Sequence, residues 1–425
     1  MLEKILNNGF VKGITAGVAG LLILGASVDA NRDVVSGKTD YSVEVVQEAK
    51  ATTALPYEHD CPICKGTVVG FDVLGTGYSG QETDFKRICT ERSEPPRIYA
   101  FAYCGDCNIA LYGDDFEEFN YDGDVMLRAM EESGIRNTIK DLKSPGLVEE
   151  ARIAEVCYTA VGEPDENMAH FYLLGSWLAQ DCGDTTAEKD FQRKAIPCFG
   201  YVSESNPGEW EPAYLVGELS RRIGDDETAR IWFDKTKGII DEEIPEEEKE
   251  WYHSFVDKQI LEVELRGLSE TEYIKIILED EDPNTRDIAI SKFEGNDLET
   301  IARRALQEVV LNDEYDLLRE NAMGILVQNV REDMIPFFVE ALQDSHPRVV
   351  QGAAYGLGEL KAEEAVPTLI KRVENEDEYS NINYMVYLAL RQIGTPEAIE
   401  AFDKAVESGV LHEWDIKMMD YDLEE

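Results

Sequence analysis

The sequence predicts a mainly α protein with one small β module towards its N-terminal side. Three observations carry this. Two Cys-x-x-Cys pairs, Cys61/Cys64 and Cys104/Cys107, stand 39 residues apart among short runs of β-branched and aromatic residues. From Leu147 the apolar residues recur at helical spacing. From about Leu268 a longer period begins, with alanines at 289, 322, 353 and 389 recurring every 31 to 36 residues, as in stacked helical repeats.

At the start, Lys4 and Lys12 precede an uncharged apolar stretch from Gly13 to Val28, and Val28-Asp29-Ala30 offers small residues at a cleavage position. This is the grammar of a secretory signal, so residues 1–30 are expected to be a signal peptide or N-terminal membrane anchor. The protein is then exported or membrane-tethered. The alternative is a cytoplasmic protein with an apolar N-terminal helix. Residues 31–55 read as a linker.

Residues 56–118 carry the cysteines. Two residues between cysteines let a tight turn place both sulfurs on one side of the backbone, and a second such turn completes a tetrahedral S₄ cage. Pro62 and Gly105 suit such turns. The flanks, Thr67 to Leu74 and Arg97 to Tyr103, read as strands, and Gly75 to Gly80 as a hairpin turn between them. The expected ligands are therefore Cys61, Cys64, Cys104 and Cys107, holding a structural Zn²⁺ in a zinc ribbon. Two disulfides or four free thiols are the alternative, and His59, two residues before Cys61, could replace one thiolate. Four thiolates leave no open coordination position, so such a site is structural rather than catalytic.

Residues 119–240 read as TPR-like helices. Asp124 to Gly134 is a short amphipathic helix. Leu147 to Ala160 is the next, and Asp165 is placed to cap the one after it. Pro197 is expected to kink or end the helix that follows. The pair 211–223 and 226–238 carries Gly217, Gly224-Asp225, Ala229 and Phe233 where small and large residues let paired helices approach. The Gly-Asp turns at Gly183 and Gly224 are 41 residues apart. Cys157, Cys182 and Cys198 are expected to be buried thiols on apolar stripes. In an exported protein, two among these and Cys89 could form a disulfide.

Residues 241–267 read as an acidic connecting helix. Residues 268–405 read as a short HEAT-like α-solenoid, in which a proline starts the second helix of a pair (Pro283, Pro347) and Leu-Gly ends it (Leu357-Gly358). Residues 406–425 form an acidic tail placed to cap the last repeat.

Cys61-Pro62-Ile63-Cys64, then Glu82-Thr83-Asp84-Phe85, then Tyr103 to Ala110, together with Tyr214-Leu215-Val216-Gly217-Glu218-Leu219-Ser220-Arg221-Arg222-Ile223-Gly224, resemble an uncharacterised bacterial family. That family joins a split zinc ribbon to TPR-like helices, and the resemblance covers about residues 57–240. It implies a fold and a metal but no substrate. The chain departs from the family pattern in lacking a proline inside the second cysteine pair, and in carrying its fifth cysteine at Cys89.

Charge narrows the partners. With 40 Lys+Arg against 87 Asp+Glu the chain carries −47. Nucleic acid and anionic membrane surfaces would be repelled; contact with a membrane is expected only through the N-terminal apolar segment, if uncleaved. The five histidines fall in no metal-binding pattern, and no phosphate-binding or nucleophile-elbow motif appears. Arg221-Arg222 is expected to pair with acidic neighbours. The sequence thus points to a non-enzymatic, zinc-stapled scaffold that offers its helical surfaces to a protein or peptide partner, basic or zwitterionic. The competing reading is an enzyme: a thiol-redox protein using the Cys-x-x-Cys pairs, or a HEAT-like lyase-type site.

Overall fold

The computed structural model describes residues 52–89, 93–141, 143–374 and 381–424. The expected signal peptide or anchor lies outside the described residues. Among the described residues, no helix is long and apolar enough to cross a membrane. The chain divides into two units, residues 1–263 and 264–425. It is mainly helical, with one small sheet that bears the cysteines.

The first unit opens with a four-stranded antiparallel sheet in the order β1-β2-β5-β6: β1 Thr53–Asp60, β2 Thr67–Gly75, β5 Phe101–Cys104 and β6 Ile109–Tyr112. β5 and β6 are almost wholly buried, and β6 packs on the helix Leu147–Val161. Two expectations change here. Residues 97–99 are not strand: Pro96–Tyr99 is a 3₁₀ turn started by proline, and the strand begins only at Phe101. Nor is Gly75 to Gly80 a hairpin turn. β3 (Tyr78–Gln81) leaves the main sheet and pairs with β4 (Arg87–Cys89) as a separate two-stranded ribbon. The 39 residues between the cysteine pairs are therefore a sheet strand plus an excursion, with Glu82 to Lys86 at its tip.

Next come helices Gly123–Glu132, Leu147–Val161, Asp165–Asp181, Thr185–Ser205, Trp210–Ile223, Asp226–Glu243 and Glu246–Glu264. Asp184 and Asp225 cap two of them, each accepting a backbone N–H three residues on (Ala187 at 2.9 Å, Thr228 at 3.2 Å). Asp165 does not cap. The N-cap is Pro164, and Asp165 sits in the first turn, where its charge faces the positive end of the helix dipole. Pro197 does not end its helix, which continues to Ser205. The flanking residues Ala195, Cys198, Phe199 and Val202 are all buried, and this burial holds the helix together across the lost hydrogen bond. The acidic run after Asp241 is not one helix either, because the chain breaks at Ile244-Pro245.

Two helix pairs share one contact. A Cβ on Gly175 would fall 2.8 Å from the Phe191 ring, and one on Gly217 would fall 2.7 Å from the Phe233 ring. In both pairs a missing side chain on one helix seats a phenylalanine from the next. This is the close approach foreseen from Gly217 and Phe233.

The second unit stacks helix pairs from Glu270–Glu279 to Glu413–Glu424 around one core. The recurring Ala289, Ala322, Ala353 and Ala389 are all buried in it. Arginines link successive repeats. Arg286 donates to Asp313 Oδ1 at 3.1 Å, and Arg319 donates to both oxygens of Asp344 at 2.8 and 3.0 Å. Leu411 and Met419 bury against the last repeat, so the tail does pack on it.

Gly217→Val would drive methyl groups into Phe233. It is expected to lower stability by about 1–3 kcal/mol. Gly238, on an exposed helical surface with open space around it, is the control: Gly238→Ala is expected to stabilise by about 0.5–1 kcal/mol. Urea unfolding of the two variants checks both signs.

Candidate metal centre

The register of the sheet brings the cysteine pairs together. β2 starts just after the first knuckle and β5 ends at the second, and their antiparallel pairing sets Val68 opposite Cys104. Both knuckles therefore lie at one end of the sheet. Each is a tight turn. Lys65 donates its N–H to Cys61 O at 2.9 Å, and Asn108 donates to Cys104 O at 2.8 Å. Lys65 and Asn108 adopt φ of 65° and 60°, a left-handed conformation that asparagine tolerates well. The Asn108 amide also donates to Tyr103 Oη at 2.7 Å. Asp106 of the second knuckle accepts from Thr67 N–H at 3.2 Å, directly after the first. A Cβ on Gly66 would overlap the Asp106 carboxylate, 1.9 Å from its Oδ2.

The four Sγ atoms of Cys61, Cys64, Cys104 and Cys107 all lie within 4.8 Å of one another. Across the knuckles, Cys64–Cys104 Sγ atoms are 3.5 Å apart and Cys61–Cys107 3.8 Å. A tetrahedral ion bound at about 2.3 Å to each sulfur sets sulfurs about 3.8 Å apart, so the cluster can hold a metal ion. Cys61, Cys104 and Cys107 are buried and Cys64 is exposed. As bare thiols Cys61, Cys104 and Cys107 do not ionise together. Hydrogen bonding from Cys107 pulls Cys104 down to about 5. Burial pushes Cys61 up to about 11, and the shared proton with Cys104, together with burial, pushes Cys107 higher still. A divalent cation removes this conflict by stabilising all four thiolates. His59 is not part of the cluster; its Nε2 lies 3.0 Å from Glu117 Oε1. All eight cysteines are free thiols, so no disulfide joins Cys89, Cys157, Cys182 or Cys198. Cys157 and Cys198 are buried as expected, but Cys182 is exposed just past a helix end.

The tip of the excursion meets the helices through charge. Glu218 is completely buried. It accepts from Arg221 through both oxygens at 2.7 and 2.8 Å, from Arg222 Nε at 2.8 Å and from Thr83 Oγ1 at 2.5 Å. Arg222 reaches back to Asp84 at 3.2 Å and Glu82 at 3.3 Å. Asp84 accepts from Trp177 Nε1 at 3.0 Å. Tyr214 Oη donates to Thr83 O at 2.8 Å. Lys86 bonds Gln180 at 2.7 Å and Asp181 at 2.8 Å, and Arg97 also holds Asp181. Glu82, Asp84, Asp181 and Glu218 balance Lys86, Arg97, Arg221 and Arg222, a neutral set in a chain of −47. Beside it, Phe85 takes a left-handed φ of 66° and places its ring 5.4 Å from Tyr214. Burial raises the Glu218 carboxyl, but the two arginines outweigh it and hold it below the usual range. Burial wins at Asp84, which is raised despite Arg222. Arg221-Arg222 thus pairs internally, as its sequence context suggests. Glu218 as the hub could not be singled out among 87 acidic residues without knowing which one is buried.

Comparisons with known proteins bear out the resemblance. Residues 57–251 match a family described as an uncharacterized protein conserved in bacteria (DUF2225). Residues 303–379 and 335–411 match HEAT repeats. No curated protein matches the chain significantly. A solved structure of human deoxyhypusine hydroxylase in complex with glycerol aligns over 63% of this chain and 97% of that one, at 19% identity. Its TM-score of 0.27 carries no structural argument.

Glu218→Ala takes the shared carboxylate from the half-buried Arg221 and Arg222 and is expected to cost about 1–3 kcal/mol. Because the folded Glu218 carboxyl lies below its unfolded value, its contribution is present above the unfolded pKa and lost as pH falls through the folded one. Unfolding series at neutral and acidic pH should show the gap between the parent and Glu218→Ala narrowing on acidification. A gap independent of pH would assign the loss to packing alone.

Proposed function

We propose that Cys61, Cys64, Cys104 and Cys107 hold a structural Zn²⁺, and that the protein is a non-enzymatic scaffold whose helical surfaces receive a protein partner. The observation that carries this is the sulfur cluster. Its spacing suits one tetrahedral ion with four thiolate ligands, which leaves no coordination position for water or substrate. Thiolate-rich tetrahedral sites favour zinc over the oxygen-seeking magnesium, calcium and manganese. The docked tip supports the scaffold reading, because its charges are spent on one another. The HEAT repeats support it as well, since stacked pairs present long continuous surfaces. The partner is a protein or peptide, basic or zwitterionic, consistent with a net charge of −47.

The close sulfurs also favour a second reading, a thiol-redox protein, because a 3.5 Å Cys64–Cys104 separation is within reach of sulfur chemistry. One experiment separates the two. Purified full-length protein is expected to contain one zinc per chain, and Cys61, Cys64, Cys104 and Cys107 should resist alkylation until a chelator is added. Metal-free protein with alkylatable thiols that cycle with a dithiol reductant would support the redox reading instead.

A further inference from the structure

The helix Glu246–Glu264 leaves an aromatic face open at its start. Trp251 is 60% exposed, yet it is held in place. Its ring lies parallel to Phe255, with centroids 5.8 Å apart, and edge-on to Tyr252 at 4.9 Å. Tyr252 in turn meets Trp210 at 5.2 Å, and Phe255 meets Tyr214 at 4.9 Å. The rings therefore run without a break from buried Tyr214 to surface Trp251. The first turn of this helix carries Glu246, Glu247 and Glu248, with Glu248 three residues before Trp251 and so on the neighbouring position of the helix surface. Tyr252 is raised by burial and then by the charges of Glu248 and Glu211. Burial, and then the charge of Glu209, raise Glu211. Among the described residues, no cation pairs with Glu209, Glu211 or Glu248. Neighbouring acids differ: Glu246 has Lys249, Asp241 has His253, and Asp257 has Lys237.

We propose that this face binds an arginine-rich segment of a partner protein, with a guanidinium lying flat on the Trp251 indole and bonding to Glu248, one turn earlier on the same helix. A guanidinium combines a planar stacking face with donors that match carboxylates, and it sheds water more readily than an ammonium. Indole faces attract cations most strongly among the aromatic rings. The acids left without partners are what an incoming cation would neutralise. A rigid, partly exposed tryptophan ringed by polar groups is also the usual form of an energetic anchor at protein interfaces. The inference rests on the scaffold reading and names the chemistry of its partner.

The test uses the full chain and an arginine hexapeptide at about 0.15 M salt, where exposed charges farther apart than about 8 Å are largely screened. Calorimetry is expected to show binding, and the matching citrulline hexapeptide, the same shape without charge, should bind at least about tenfold more weakly. Trp251→Ala changes no charge and, at an exposed position, should preserve the circular dichroism. It is expected to weaken binding about tenfold or more, as loss of an anchor does, whereas Trp251→Phe should retain most of it. Equal binding to Trp251→Ala would overturn the proposal and assign the peptide to general attraction by a polyanion. So would equal binding of the citrulline peptide, or none of the arginine peptide. The zinc and alkylation outcomes are read on protein without peptide, so failure here and failure of the scaffold reading are separate results.

Discussion

The first unit depends on closing its chain excursion at both ends. One end is the sulfur cluster, which ties the start of β2 to the end of β5, the two strands that flank the excursion. The other is the buried charge set, which fastens Thr83, Asp84 and Lys86 to the helices Asp165–Asp181 and Trp210–Ile223. A two-stranded ribbon such as β3–β4 is at best marginally stable alone. Its order must come from these anchors. Bringing the ends of a long loop together costs conformational entropy, and a zinc ion held as proposed, worth roughly 10–16 kcal/mol in isolated zinc-binding peptides, would be ample to offset it.

The charge set follows a different logic. A buried ion pair contributes little net stability, because desolvation nearly cancels attraction. What it supplies is discrimination. Four acids and four bases, arranged so that Glu218 serves two arginines and Asp181 serves Lys86 and Arg97, are satisfied in one docking geometry only. A displaced tip would take Asp84 away from Trp177 and Arg222 and deprive Glu218 of the Thr83 hydroxyl, and an unpaired buried carboxylate is expensive. The aromatic rings of Phe85 and Tyr214 add apolar burial alongside.

Much of this was legible in the sequence, and the reasons differ by element. The cysteine spacing announces a four-sulfur centre because few other arrangements bring two such pairs together. The repeat alanines announce stacked helix pairs because only a small side chain fits there; Gly217 with Phe233 works in the same way. The failures are also physical. Pro197 reads as a breaker because propensity is local, whereas burial of Ala195, Cys198 and Phe199 is tertiary. Residues 97–99 read as strand because their side chains suit one, but the paired prolines before them start a turn. The hub at Glu218 stayed hidden because burial of one acid depends on a segment more than 130 residues earlier.

An ion held by the four cysteines, as proposed, would keep the excursion closed, so that its tip stays docked. Hydrogen exchange of the full chain, before and after metal removal by a chelator, tests it most directly. The account predicts faster exchange in β2 and β5, and also in the distant segment Trp210–Ile223 that receives the tip, with the HEAT repeats unchanged. Loss of metal that leaves β2, β5 and Trp210–Ile223 equally protected would contradict it.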